Sequence, residues 1–327
     1  MIIILLIGCG LYLIKEHKMP EDKFLFSGTS VVRSHMEKIN NYKNVQNYRY
    51  TSKLLPSKNI RLKDISYSFL EEISVPSEKY PQGICFSDKY VFITLYSAKK
   101  DDLGIIMIFS SKTQEYLLSL GMDAQSHLGG ITYDGESIWV CNSSKMSIER
   151  ISLKFIEKAI WEYKGKFLDV RNIVDSYAVN VIPSCISFYD NKLWIATHAK
   201  QSNSQMISYT FHASDNRLYF DDIYQIPSKV QGVVFDENGR VLLSTSYGRR
   251  NSSYLKIYNS LDEMSKNVSK YMKSIEMPPC SEGLDIYDGK LYILFESASE
   301  KYLEGTDGKG KVLAPLDKIL VIDLTYL

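Results

Sequence analysis

The 327 residues carry no excess of either charge: 39 Lys and Arg stand against 38 Asp and Glu, a net charge of +1. Phosphate backbones need a concentrated basic surface, so nucleic acid is not an expected partner. Cysteine is scarce. The five (Cys9, Cys85, Cys141, Cys185, Cys280) form no CxxC pair and have no His nearby at metal-ligand spacing, which argues against a zinc site or a disulfide framework. Four of them lie in or beside apolar runs, where a free thiol acts as a small hydrophobe. The sequence also lacks the GxSxG nucleophile elbow and the phosphate-cradling GxxxxGK. Gly305 to Gly310 reads GTDGKG but joins no strand to a helix start, so it reads as a mobile loop.

The N-terminus is apolar but short. Met1 to Ile14 reads MIIILLIGCGLYLI, whereas a spanning helix needs about 20 such residues. Leu6-Ile7-Gly8-Cys9 resembles the lipobox of bacterial lipoproteins, which implies lipidation at Cys9. The competing readings are an uncleaved signal anchor, favoured by the apolar run beyond Cys9, and a buried strand. No basic residue precedes the run, and Lys15 and Lys18 follow it, so charge bias does not itself support export. The expectation is a chain tethered on the extracytoplasmic face of the cell membrane. Residues 15–65 are polar and lack period-2 alternation; they read as an extension, with a short helix over Val31 to Tyr42 capped by Ser30.

Residues 66–327 are organised by a repeat. Five segments share a small residue, an alternating strand, a turn and a strongly apolar strand: GICFSDKYVFIT from Gly83, GITYDGESIWVC from Gly130, CISFYDNKLWIAT from Cys185, GVVFDENGRVLLST from Gly232 and GLDIYDGKLYILF from Gly283. Their starts are 47, 55, 47 and 51 residues apart. Nine residues after four of the starts stands an aromatic (Phe92, Trp139, Trp194, Tyr292), while the fourth unit carries Leu242 nearby. Asp134-Gly135, Asp190-Asn191, Asn238-Gly239 and Asp288-Gly289 tolerate the positive φ of tight hairpins.

Two further strand-like runs follow each hairpin, Ile105 to Phe109 and Glu115 to Leu120 in the first unit, Ser147 to Leu153 and Ala159 to Tyr163 in the second. Four strands per unit predict an all-β, five-bladed β-propeller. The last unit is one strand short, and Ser68 to Val75 is expected to close it beside Ile319 to Ile322, removing an open edge. A six-bladed ring is the alternative and needs a further blade within 15–65. The units resemble the broad class of NHL-like, TolB-like and SMP-30-like propellers. That resemblance implies architecture and is weak for function.

In a propeller, loops entering the innermost strands and leaving the second strands meet at one mouth of the channel, where ligands usually bind. Entry positions are Gln82, Gly129, Ser184, Gln231 and Glu282; exit positions are Tyr96, Ser143, His198, Ser246 and Glu296, with His127, Tyr247, Arg249 and Arg250 on the same loops. Gln82, Tyr96, His127, Ser184, His198, Gln231, Tyr247, Arg249, Glu282 and Glu296 are therefore the candidate ligand-binding set. Tyr96 and Tyr247 would supply stacking faces for an unknown small molecule, a glycan or a partner protein. The alternative is a hydrolase, glycosidase- or lactonase-like, using Glu282 and Glu296, with Asp285 two residues from Gly283 as a possible third acid. No cofactor is predicted. Calcium would need several carboxylates, and no entry position besides Glu282 supplies one. His127 and His198, from adjacent units, are a possible metal pair with no acid placed by spacing.

Overall fold

The structure, a computed structural model, describes residues 66–67 and 79–327 apart from 98, 100, 298, 314, 317 and 318. The 1–14 segment, Cys9, the helix expected over Val31 to Tyr42 and the closing strand expected over Ser68 to Val75 lie outside the described residues. The strands form five sheets. The first holds β1 (Ser66–Tyr67), β2 (Tyr80–Phe86), β3 (Tyr90–Tyr96), β4 (Gly104–Ser110) and β5 (Tyr116–Met122). The second begins with β6 (Ile131–Tyr133), β7 (Ser137–Asn142) and β8 (Ser147–Ser152). Helix α1 (Leu153–Tyr163) follows, then β9 (Lys166–Asp169) and β10 (Asp175–Ala178).

The third sheet is β11 (Cys185–Tyr189), β12 (Lys192–Ala196), β13 (Ser204–His212) and β14 (Arg217–Ile226). The fourth is β15 (Val230–Phe235), β16 (Val241–Thr245), β17 (Ser253–Tyr258) and, after α2 (Leu261–Lys266), β18 (Lys273–Met277). The fifth is β19 (Ser281–Tyr287), β20 (Lys290–Phe295) and, after α3 (Glu300–Leu303), β21 (Leu320–Asp323). The innermost strands neighbour one another in turn, β2 to β6, β11, β15, β19 and back to β2. The chain is a five-bladed β-propeller.

The turns work as their residues require. Asp190 and Asn191 have φ of 50° and 57°, and Asp288 and Gly289 have φ of 49° and 69°, the left-handed pair that matches strand twist in a tight hairpin. The inner strands of each blade bury both faces, so the core is five apolar seams between blades. The recurring residue feeds the seam with the following blade every time. Phe92 packs with Ile131 and Val140 of blade 2, and Trp139 with Ile186 and Ile195 of blade 3. Trp194 packs with Val233 and Leu243 of blade 4, and Leu242 with Leu291 and Ile293 of blade 5. Tyr292 completes the circle against Ile84 and Ile93 of blade 1. Burying such a side chain contributes about 1.5–3 kcal/mol.

The glycines opening the repeats mark the closest approaches at the axis. A Cβ on Gly283 would lie 2.7 Å from the Gln82 carbonyl oxygen and 2.8 Å from Gly83 Cα, and one on Gly130 would lie 2.6 Å from Cys185 Cα. Two residues along from these starts, a polar side chain clasps the next blade. Thr132 Oγ1 accepts from Phe188 N–H at 3.0 Å, and Asp285 Oδ2 accepts from Phe86 N–H at 2.8 Å.

One expectation is corrected. Ala159 to Tyr163 is not a strand but the end of α1, and the outer strand of blade 2 is β10, paired with β8. Ser152 Oγ caps the helix by accepting from Phe155 N–H, and Ile156 and Ala159 are buried on one face, so the period is helical rather than two. The chain uses this helix to cross back. β9 pairs in parallel with β5, the outer strand of blade 1, and Phe167 takes the space that a side chain at Gly121 would fill. β1 pairs in parallel with β9.

Candidate functional site

The loops at the mouth bring three consecutive blades into one hydrogen-bonded chain. Gln231 Nε2 donates to Glu282 Oε1 at 3.2 Å, the Glu282 and Glu296 carboxyls hydrogen-bond each other, and Gln82 Nε2 donates to Glu296 Oε2 at 3.0 Å. Both acids are buried, at 3% and 8% exposure. Burial, reinforced by the charge and hydrogen bond of Glu296, holds Glu282 far above the ordinary carboxylate range, with Lys301 and Gln231 pulling the other way. Glu282 is therefore the acid that keeps its proton in their hydrogen bond.

A long connection from β20 to β21 lies over this chain. Its Tyr302 hydroxyl donates to Glu296 Oε1, and its Lys301 Nζ donates to Tyr96 Oη at 2.6 Å while sitting 3.9 Å from the Tyr80 ring centre. Burial, then the Glu296 charge, pushes both the Tyr302 and Tyr96 hydroxyls upward, so neither ionises near neutrality. Arg249 fastens the connection. It donates to the carbonyls of Lys301 (3.0 Å) and Gly310 (2.5 Å), pairs with Asp307 at 2.5 Å, and lies over the Tyr302 ring. The Gly305 to Gly310 stretch, expected to be mobile, is held by this strut.

The predicted residues thus divide. Gln82, Gln231, Glu282 and Glu296 meet, with Arg249 as the strut above them. Tyr96 joins them through Lys301, and its ring packs at a tilt of 37° against His127, 4.3 Å between centres. Asp285 does not join the acid pair, because its carboxylate is taken by Phe86 N–H. The two histidines are engaged separately: His198 Nδ1 lies 3.1 Å from the Val230 carbonyl oxygen, and His127 stays with Tyr96. Ser184 is half-buried, its N–H donating to the Ala196 carbonyl at 2.9 Å. Tyr247 is 43% exposed and stands over Lys200 and Lys229, in a different cleft.

Beside the buried chain a cleft of about 520 Å³ opens between blades 1 and 2 and the connection, lined by Tyr80, Tyr96, Ser126, His127, Lys301 and Asp307 among others. Tyr80, Lys301 and Tyr302 were missing from the sequence-based set. Lys301 and Tyr302 belong to a connection with no periodic pattern; its length between two strands was the only signal. Among the described residues no group of three or more His, Cys, Asp or Glu is placed to hold a metal ion. Among the same residues no helix is long and apolar enough to cross a membrane.

No family model matches the chain, and no curated protein matches it. Solved structures do. Kuenenia stuttgartiensis hydrazine synthase is similar over 69% of this chain, at 11% identity and a TM-score of 0.39. The match spans 58% of that chain. A Myxococcus xanthus glutaminyl cyclase is similar over 75% of this chain and 91% of its own, at 9% identity and a TM-score of 0.44. A nidogen/laminin complex is similar over 71% and 80%, at 14% identity and a TM-score of 0.41. At these identities the likeness concerns fold alone.

Proposed function

We propose that this propeller is a binding module that takes a polar ligand, a glycan or an exposed peptide of a partner protein, in the cleft walled by Tyr80, Tyr96, His127 and Lys301. The observation that carries this reading is the state of the acids below it. Glu282 and Glu296 are buried, bonded to Gln231, Gln82 and Tyr302, and covered by a connection that Arg249 fastens. They act as a lock on the mouth. The cleft instead presents the exposed His127 ring with the half-buried Tyr96 and Lys301, which suit a ligand held by ring and polar contacts. Tyr96→Ala and Lys301→Ala, tested by retention on glycan and peptide arrays, should each weaken capture about tenfold or more, the loss of one strong contact. Equal capture by both variants and the parent would refute the assignment.

A hydrolase is the second reading, favoured by the raised proton affinity of Glu282 and its hydrogen bond to a second carboxyl group, an arrangement suited to a general acid. Glu282→Gln separates the two, since it removes a proton donor while preserving shape and one hydrogen bond. A binder keeps its ligand, and a hydrolase loses turnover.

The apolar run 1–14 and the polar 15–65 support a tether to the cell membrane with the propeller on the extracytoplasmic side, through Cys9 as a lipoprotein or through a signal anchor. Mass spectrometry of the mature N-terminus tests it: a diacylglyceryl adduct on Cys9 marks the lipoprotein, an intact Met1 in the membrane fraction the anchor, and a soluble chain neither.

A further inference from the structure

A second cleft, of about 510 Å³, lies on the mouth side of blade 4 and is separate from the one beside the acid pair. Thr245, Tyr254 and Glu276 sit opposite one another across β16, β17 and β18, and Lys256 lies two residues farther along, opposite Leu243. Leu243 belongs to the seam with blade 3. The cleft is therefore the outer end of that seam, where the apolar packing stops and the same sheet face turns polar.

Its lining is basic. Lys229, Arg250 and Lys256 face a single carboxylate, Glu276, and Lys200 stands at the rim, 5.6 Å from the centre of the Tyr247 ring. Among the described residues none of these four cations forms an ion pair, although the protein as a whole is close to neutral. Lys229 also lies 5.5 Å from the Tyr247 ring centre, and Lys256 lies 5.7 Å from that of Tyr271. Burial and then the charge of Lys229 lower the affinity of Lys256 for its proton, so the two ammonium groups oppose one another in a partly dry site.

The backbone adds an independent observation. Lys229 has a φ of 66°, the left-handed region that glycine occupies at less cost. Its N–H donates to the Ala199 carbonyl at 2.8 Å, and its carbonyl accepts from Ser246 N–H at 2.9 Å. Such outliers persist where neighbours over-determine them, and they gather at ligand clamps. Here the two backbone hydrogen bonds hold the left-handed turn that places Lys229 in the wall of the cleft.

We infer that this cleft binds a sugar bearing an anionic group, a phosphate or a carboxylate. Lys229, Lys256 and Arg250 meet the anion, and Tyr247 offers its exposed face to the ring. Glu276, whose Oε1 accepts from Ser252 Oγ, lies buried at the floor, and the Ser252 and Asn251 side chains of the same wall meet sugar hydroxyls. A carboxylate among cations disfavours a bare inorganic anion and favours one carrying hydroxyl donors.

The test uses the full chain at low salt, with glucose 6-phosphate and glucuronate as probes and glucose and inorganic phosphate as controls, read by calorimetry. Both anionic sugars should bind at least about tenfold more tightly than glucose. Lys229→Gly should weaken them by about tenfold without lowering the melting temperature, since it removes the charge and relieves the backbone. Tyr247→Ala should weaken the sugars and leave inorganic phosphate unchanged, and exposed Arg250→Ala gives a charge-removal variant with little risk to folding. Anionic sugars binding no better than glucose, inorganic phosphate matching glucose 6-phosphate, or full affinity in Lys229→Gly and Arg250→Ala would each overturn the assignment. Tyr96→Ala should not affect these probes, which separates this site from the cleft beside the acid pair.

Discussion

The carboxyl groups of Glu282 and Glu296 meet in a hydrogen bond beneath the connection that covers the mouth, and burial with the neighbouring charge raises the proton affinity of Glu282. Folding therefore raises the proton affinity of Glu282 above its unfolded value. A group raised in this way stabilises the fold fully below its unfolded pKa, and that contribution is lost as pH rises through the folded value.

Asp285 behaves likewise, pushed from 3.8 to about 7 by burial against the backbone of blade 1, with the N–H groups of Phe86 and Ile286 opposing. Stability should fall as pH rises from about 4 to about 8, with Asp285 contributing on the order of 2 kcal/mol, reduced from the full shift because the residue is partly exposed. Glu282→Gln and Asp285→Asn should each flatten the profile, and Asp285→Asn should melt higher than the parent at the alkaline end. Thermal melts across that range check this, and an unchanged slope in both variants would contradict the raised Glu282 and the raised Asp285.

The axis should tolerate no side chain. Gly283→Ala places a methyl group against the backbone of blade 1, and the overpacking should cost about 2–3 kcal/mol. Gly135→Ala, in a hairpin with φ of 99° and nothing within 4 Å, should cost about 1 kcal/mol from backbone strain alone. Urea titration of the two variants gives the comparison.

Arg249→Lys should not rescue Arg249→Ala. Two carbonyls and a carboxylate are met by one planar fork, a geometry that a single ammonium does not reproduce. Both variants should lose about 1–3 kcal/mol and show faster amide exchange in residues 304–313, read by mass spectrometry.

The thiols of Cys85, Cys141, Cys185 and Cys280 are buried and unpaired. Burial raises all four, with Cys185 pushed up to about 12. They should resist a thiol reagent in the native protein and react fully in guanidinium chloride. Rapid labelling of any of them without denaturant would show that a blade seam opens.

The ring was legible because one chemical requirement recurs in register. Each blade needs little bulk at the axis, a turn that accepts positive φ, and a large apolar residue for the next seam; Gly130, Asp190-Asn191 and Trp139 show the three. Helix α1 was misread because Ala159 to Tyr163 is too short a run to separate the two periods, although Ser152 with Leu153, Ile156 and Ile160 carries the helical spacing. The meeting of Gln82, Gln231, Glu282 and Glu296 followed from their positions relative to the repeat starts. Lys301 and Tyr302 could not be placed, since an irregular connection encodes its destination only through distant partners such as Arg249. The cleft beside the acid pair was hidden for the same reason, since Lys301 and Asp307 of that connection form part of its wall.

The return of β9 to the edge of β5 has a mechanical meaning. A sheet that takes up a parallel strand from the segment of the next blade cannot peel away alone, because releasing that strand drags on α1 and on β10 beyond. Blades 1 and 2 are thus stitched into a single cooperative unit, and strain on the ring finds its weakest joint elsewhere, among described sheets that exchange no strand and are joined by apolar seams and hydrogen-bond clasps such as Thr132 to Phe188.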